Sequence, residues 1–534
     1  MAENSILTNS TYLSELRYGW IPSGQDRGTL DILWSCLITV TLCCWVATHP
    51  NAGSPKDKFY HPFIDRAHLA MVGLLGPEFL LAIALGQFSS ARRSVNKFKT
   101  DQVTKGVKWT YTYAFFADMG GMFLTSPDYP DGFPINAEQL HYLVKYGHVD
   151  FPDMEQMNIG ERNASDNLSR FLTLWQALWF SVIEIQRIAH GLPMTTLELT
   201  ALSYVYILVG CQICWFKKPS ISVPRTIRTK DNTKIQEIRM WARKHTHHDI
   251  PEDPQAWYRT PVDFISGPRW QIGVHWAYYT RWLEIFCVPL YSRPIKSKLW
   301  DRFPSDEWLP AEKGAILLFF SVMPVGFTIW FFAGWNFFFA TSIEQILWRV
   351  CASYHAIFGV YGYTYYYTEI FKWHKAKAAA DKRCEYVEAL PSQTEHTVVL
   401  TEKTADSAKN LSTVTTFDIP PDSKAVTKLH NGDIESQSKP ITNSPPDGYP
   451  APYTLQWLPP MTVDGILGFL RNNSANQDPQ MRLSLRVLIP VSVICGLYIL
   501  CRLAIWNENF IAMRVQPAGV YVTVNRYMPF WGDG

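Results

Sequence analysis

Apolar and polar blocks alternate along the whole chain, and the apolar blocks are about 20 residues long. That is the length a helix needs to cross a bilayer. The blocks predict about seven spans, near 30–48, 67–88, 171–189, 195–216, 314–334, 346–370 and 484–503. Between them lie polar stretches at 100–169, 217–312 and 372–480. The expected fold is therefore an all-α polytopic membrane protein with long loops. Its divisions are 1–99, 100–169, 170–216, 217–312, 313–371, 372–480 and 481–534.

Basic clusters follow the second, fourth and sixth predicted spans: Arg92, Arg93, Lys97 and Lys99; Lys217, Lys218, Arg225 and Arg228; then Lys372, Lys375, Lys377, Lys382 and Arg383. Lys and Arg mark the cytoplasmic side of a span. All three clusters fall on that side only if the amino terminus is cytoplasmic, and seven spans then put the carboxyl terminus across the membrane.

The polar stretches carry their own expectations. Residues 112–123, TYAFFADMGGMF, are too short to span and read as an interfacial or re-entrant segment. Segment 217–312 is expected to hold amphipathic helices on the membrane surface. Segment 380–480 is rich in Ser, Thr, Pro, Asp and Lys, with few large apolar residues up to about 452, and the loop 372–480 reads as disordered. Two glycosylation patterns, at Asn163 and Asn167, fall on the cytoplasmic side of this topology and would be unused.

Composition narrows the picture modestly. A net charge of +2 over 534 residues gives nucleic acid no general attraction, so no nucleic-acid partner is expected. Nine of the ten cysteines sit in or near apolar blocks, where they behave as small hydrophobes. Cys211 and Cys214 form a C-x-x-C, but on a predicted span, where helix packing explains them. His245, His247, His248 and Asp249 cluster in a polar loop without a second ligand group, and the loop reads as solvated. No P-loop, nucleophile elbow or zinc-protease helix is present. No metal or cofactor is implied.

The candidate chemistry lies in acids within or beside spans. Glu78 falls in the middle of the second, directly after Pro77, with no Lys or Arg within four residues. A carboxylate at that depth costs about 2.5–3.5 kcal/mol or more and is paired, protonated or functional. Glu184 has Arg187 at helical spacing, which predicts an ion pair. Glu198 stands in the first turn of the fourth span, where a helix dipole favours an acid. Asp118 precedes the Gly120-Gly121 pair. A neutral acid can donate a proton, and aromatic faces can stabilise a cation beside it. Trp175, Trp179, Phe180 and Trp335 are the aromatic candidates for such a wall. Acid and aromatics together suit protonation and cyclisation of an isoprenoid. They equally suit a lipid pocket or a proton-coupled transporter, and a receptor-like or scaffold protein acting through segment 380–480 is a third reading.

Several stretches bear a resemblance: residues 26–51, 76–95, 113–123 (YAFFADMGGMF), 190–204 (HGLPMTTLELTALSY), 214–224 (CWFKKPSISVP) and the tail 517–525 (PAGVYVTVN). They resemble a fungal family of multi-pass membrane proteins. By analogy the resemblance reaches integral-membrane terpene cyclases of meroterpenoid pathways. It implies a multi-pass protein, expected in the endoplasmic reticulum, acting on a hydrophobic prenylated small molecule. A farnesyl-type chain would be cyclised without metal, as isomerase or lyase chemistry. The resemblance assigns no catalytic residue; Glu78, Asp118, Glu184 and Glu198 rest on the physical argument alone.

Overall fold

A computed structural model describes residues 16–24, 27–152, 163–220, 224–245, 250–254, 260–265, 303, 314–389 and 485–523. The start of the expected disordered segment is helical instead, through Ala389. Its remainder to 480, most of 266–312 and the His247–Asp249 part of the histidine cluster lie outside these residues, as do the side chains of Asn163 and Asn167. Residues Met1–His374 and Val463–Gly534 form one compact unit, and Lys375–Thr462 a second. The site described below lies in the first.

The unit is mostly helical. In order it contains β1 (Arg17–Tyr18), α1 (Thr29–Ala47), α2 (His61–Leu75), α3 (Pro77–Thr100), α4 (Tyr111–Asp118), β2 (Met122–Ser126), β3 (Tyr129–Ile135) and α5 (Ala137–Lys145). Then come α6 (Asn163–Ala189), α7 (Thr196–Trp215), β4 (Arg225–Arg228), α8 (Ile235–His245), α9 (Ala315–Trp330), α10 (Ser342–Ala389, belonging to this unit as far as His374), α11 (Leu485–Ile511) and β5 (Gln516–Pro517). Among the described residues, three stretches are long and apolar enough to cross a membrane: Thr29–Ala47, Thr196–Trp215 and Leu488–Arg514. The seven expected spans are not reproduced on that measure.

Side-chain contacts fix the helix directions. Arg27, just before α1, pairs with Glu198 at the start of α7, and Lys218 after α7 donates to the His49 carbonyl after α1 at 2.6 Å. These two helices therefore run parallel, with a Glu198 end and a Lys218 end. Helix α6 runs the opposite way, because Arg170 near its start donates to the Lys218 carbonyl at 3.2 Å. So does α11, whose Asn509 donates to Thr200 at 3.0 Å and whose Arg502 donates to Tyr204 at 2.9 Å.

Predicted span two does not run straight through. Helix α2 ends at Leu75, Gly76 links it to α3, and Pro77 opens α3. Arg66 donates to the Trp45 carbonyl at 3.2 Å, near the Lys218 end. Gln87 accepts from Lys218 at 2.8 Å and from Trp215 at 3.0 Å, at that same end. The tip between them, Leu74–Glu78, reaches Tyr204 and Tyr498 in the middle of the bundle. Gly73 lies against Leu80, although in a straight helix seven residues rise about 10.5 Å. The segment is thus a helical hairpin that goes in and comes back. Proline lacks the N–H that a continuing helix requires at that position, so the break is local chemistry. Its direction is set by packing.

The hairpin also changes the relation of the chain ends. Strand β1 pairs antiparallel with β5, and Tyr521 donates to the Gly19 carbonyl at 3.1 Å. Both segments lie at the Glu198 end. The expectation that they sit across the membrane from one another counted a full crossing where the chain turns back.

The expected interfacial segment is instead part of a small α/β layer. Its apolar residues form α4, a glycine turn and β2. Gly120 has φ +77, and a Cβ on Gly121 would stand 2.4 Å from the Phe116 ring. Strand β2 pairs antiparallel with β3 and parallel with β4, giving the order β3-β2-β4. The purely all-α expectation missed this sheet: β2 and β3 form a hairpin within one polar stretch, and β4 joins it from another. Helix α8 is amphipathic as expected, but Ile235, Ile238 and Ala242 are buried, and Ala242 packs with Tyr142 and Ile250. Protein, not lipid, covers that face.

Candidate functional site

The four candidate acids occupy three places. Glu184 and Glu198 come together at the Glu198 end, while Glu78 and Asp118 stand apart from them.

At the Glu198 end two acids meet two arginines. Arg27 pairs with Glu198 and lies 3.6 Å from Glu184, and Arg187 lies 3.6 Å from Glu184. The Glu184–Arg187 spacing thus forms the helical ion pair its sequence interval predicts. Glu198 closes a capping box: its carboxylate accepts from the Thr195 amide at 2.8 Å, and its own amide donates to the Thr195 hydroxyl at 3.1 Å. Arg187 also donates to the carbonyls of Val522 (2.8 Å), Val520 (2.9 Å) and Pro193 (3.1 Å). This cluster ties the carboxyl-terminal segment to the α6–α7 turn.

Asp118 ends α4. Its Oδ1 accepts the Ala137 amide at 2.9 Å, so it caps α5 beside Asn136. Burial pushes its carboxyl up to about 6, against the pull of the Ala137 amide, Ser90 and Arg93.

Glu78 sits at the hairpin tip. Its position in the first turn of α3 places it at a positive helix end. Tyr498 on α11 donates to its Oε1, and its buried Oε2 has no hydrogen-bond partner. The tip also exposes backbone carbonyls that its own helix cannot satisfy. Tyr204 donates to the Leu74 carbonyl, and Tyr498 lies 3.3 Å from that of Leu75.

Arg502, one turn beyond Tyr498, is only 1% exposed. Its Nη2 donates to Tyr204, while Nε and Nη1 have no partner. Its guanidinium carbon lies 4.9 Å from the Phe327 ring centre, 5.2 Å from Phe331 and 5.5 Å from Tyr204. Arg502 is the cation that acts on Glu78 electrostatically, yet no ion pair within 4.0 Å joins them among the described residues. His355 on α10 completes the group. Its Nδ1 is 2.9 Å from the Cys351 carbonyl, its ring centre is 5.1 Å from that of Tyr498, and its Nε2 has no partner. Phe79 and Phe358 pack on Tyr498 at 5.6 and 4.6 Å.

The centre therefore joins one acid, one arginine, two tyrosines and a histidine from four helices. Of these only Glu78 is a residue that the sequence reading selects. Arg502 has a signal in the sequence, since it is an arginine beside a long apolar block, but it reads as the block's boundary. The expected aromatic wall lies elsewhere. Trp175 is 61% and Trp179 39% exposed, on the outer side of α6. Phe180 is buried, and Trp335 stacks on Phe332 at 5.4 Å beneath Arg349.

A second polar cluster lies at the Lys218 end. Lys218 is buried and donates to the His49 carbonyl, to Gln87 and, at 3.3 Å, to Asn51. Burial and then the charge of Arg170 lower its ammonium to about 7. The C-x-x-C cysteines Cys211 and Cys214 are both free thiols and buried. No group of three or more His, Cys, Asp or Glu side chains is placed to hold a metal among the described residues.

Residues 5–249 match the profile of a family of unknown function (DUF8562). That stretch includes the whole α2–α3 hairpin with Glu78 but not His355, Tyr498 or Arg502. No curated protein and no solved structure is detectably similar to the chain.

Proposed function

We propose that this chain is a multi-pass membrane protein that works as a proton-coupled carrier for a small organic molecule, with Glu78 as the group that takes up and releases the proton. The observation that carries this reading is the broken α2–α3 hairpin, whose tip holds an acid beside a buried arginine without a direct ion pair. Charged side chains inside a bilayer are expensive and mark ion or substrate paths. Irregular backbone at membrane depth is tolerated where protein or a lined path satisfies it, and carriers place their sites at such half-helices.

The proposed topology has six crossings, α1, α6, α7, α9, α10 and α11, with the α2–α3 hairpin as a re-entrant element. Exposed apolar side chains support it. On α6 they run from Leu168 through Phe171, Trp175, Val182 and Ile185 to Ile188, about 30 Å of helix surface. On α11 they include Ile489, Val493, Leu497 and Leu500. The basic clusters at 92–99 and 217–228 belong to the Lys218 end, which this topology puts in the cytoplasm. Both chain ends then face the other side.

The test is flux. The purified chain is placed in vesicles holding a pH-sensitive dye, and a panel of carboxylic acids, amines, sugars and prenylated phenols is added outside. Substrate-dependent internal acidification that Glu78→Gln abolishes supports the carrier. Pumping or leak that ignores every substrate counts against it.

A second reading keeps Glu78 as proton donor in a membrane-bound terpene cyclase. The rings of Phe79, Phe358 and Tyr498 around the acid favour it. Microsomes given farnesylated phenols and their epoxides would then form an isomer of unchanged mass, absent with Glu78→Gln. Against it, the guanidinium of Arg502 already occupies the faces of Tyr204, Phe327 and Phe331, where a carbocation would be stabilised.

A further inference from the structure

We infer that Arg502 is the anchor for a substrate carboxylate, and that this carboxylate and Glu78 compete for it, so that one proton enters Glu78 for each anion bound. The inference rests on the carrier reading and names its substrate class: a monocarboxylate with an apolar or aromatic body.

The donor geometry selects the anion. A guanidinium carries five N–H donors, two of them on Nη2. Nη2 gives one to Tyr204, and Nε and Nη1 give none. One complete two-donor edge is therefore left, the pattern that matches the two oxygens of a carboxylate. The cation is also fixed in place, since three aromatic rings hold its faces. Phe79, Phe327, Phe331 and Phe358 make the surroundings apolar, which suits the body of the ligand rather than a second charge.

Charge balance supplies the coupling. Tyr498 and Arg502 on α11 act on Glu78 directly. Tyr204 on α7 and Cys44 on α1 lie near Arg502, and His355 on α10 lies against Tyr498. The neighbouring parts of α2 and α9 present Leu74, Leu75, Phe327 and the following Phe331. Arg502 is thus the one fixed positive charge in the group. When a carboxylate binds it, the site would hold two negative charges and one positive in a low-dielectric interior. Glu78 then takes a proton, and the site stays neutral: one anion and one proton enter together. Release reverses both steps. An amine would instead add a second cation beside Arg502 and leave the two-donor edge empty.

The experiment uses the full chain in lipid nanodiscs and phenylacetate as probe, with phenylacetamide as the neutral control and phenylalanine as the zwitterion. Titration calorimetry at pH 7 in phosphate and in Tris reads heat and proton uptake together, because the two buffers differ in ionisation heat. Phenylacetate is expected to bind with uptake of about one proton, and phenylacetamide not to bind. Glu78→Gln is expected to retain binding and lose the proton uptake. Arg502→Gln is expected to weaken binding roughly 100-fold. Should Arg502→Gln not fold, Glu78→Gln on the intact arginine still decides. The inference is overturned by absence of phenylacetate binding, by binding without proton uptake, by uptake that persists in Glu78→Gln, or by phenylalanine binding in place of phenylacetate. These outcomes separate from the carrier reading. Proton-coupled flux of an amine or sugar keeps the carrier and removes this anchor. Binding with proton uptake but no flux in vesicles keeps the anchor and removes the carrier.

Discussion

Tyr498 donates its phenolic hydrogen to the carboxylate of Glu78 across 420 residues of chain. The same hydroxyl lies 3.3 Å from the Leu75 carbonyl. One side chain of α11 thus holds both the acid and the broken backbone of the hairpin tip.

Removing that hydroxyl should show its weight. Tyr498→Phe keeps the ring contacts with Phe79, His355 and Phe358 but leaves the Glu78 carboxylate without its donor. A buried group that loses its partner costs about 1–3 kcal/mol. The melting temperature in detergent should fall, and fall less when Tyr498→Phe is made on a Glu78→Met background, which offers no oxygen acceptor. Equal losses on both backgrounds would mean that the hydrogen bond contributes nothing to stability.

The re-entrant hairpin makes a directional prediction about topology. Ser23 lies in the segment before α1, and Lys105 follows α3; both are exposed. A hairpin puts them on opposite sides of the membrane, whereas a true second span puts them on the same side. Single cysteines at these sites, on a background lacking Cys287 and Cys384, can be tested with an impermeant maleimide in sealed vesicles. The remaining eight cysteines are buried or half-buried. Opposite accessibility is the expected result.

Lys218 gives the protein a pH dependence. Its ordinary value is 10.5, and burial lowers it to about 7 in the fold. Between these values the unfolded chain holds a proton that the folded protein has lost. Raising the pH through that window therefore favours the folded state, and below pH 7 the effect is flat. Melts from pH 6 to 10 should rise above neutrality, and Lys218→Met should remove most of that rise. A wild-type curve that falls through this range would contradict the burial of a neutral amine.

Arg187 should govern the carboxyl-terminal segment. It is 1% exposed, and its guanidinium reaches three carbonyls of residues 519–522 as well as Pro193. Arg187→Met leaves those carbonyls and Glu184 short of a partner. Breaking a buried charge cluster from one side costs about 3–5 kcal/mol. Limited proteolysis should then cut near 515–523 faster than in the wild type, while cleavage elsewhere changes little.

Local chemistry in the chain determined a good part of this protein. The apolar blocks of α1 and α7 give helices of spanning length, because about 20 residues of one character need no partner to be recognised. Pro77 marks the break at Glu78, and the intervals Glu184–Arg187 and Thr195–Glu198 specify an ion pair and a capping box, since both depend only on helical geometry. Tertiary structure decided the rest. A proline says that a helix breaks; only packing against Trp45 and Lys218 says that the chain turns back. Strands β2 and β4 pair from stretches about 100 residues apart, and neither carries a pattern that names the other. Glu78 has no cation within four residues, and Arg502 reaches it from the last helix. Helical periodicity relates only neighbours three and four residues apart. The partners that give a buried acid its chemistry come from helices brought alongside by folding.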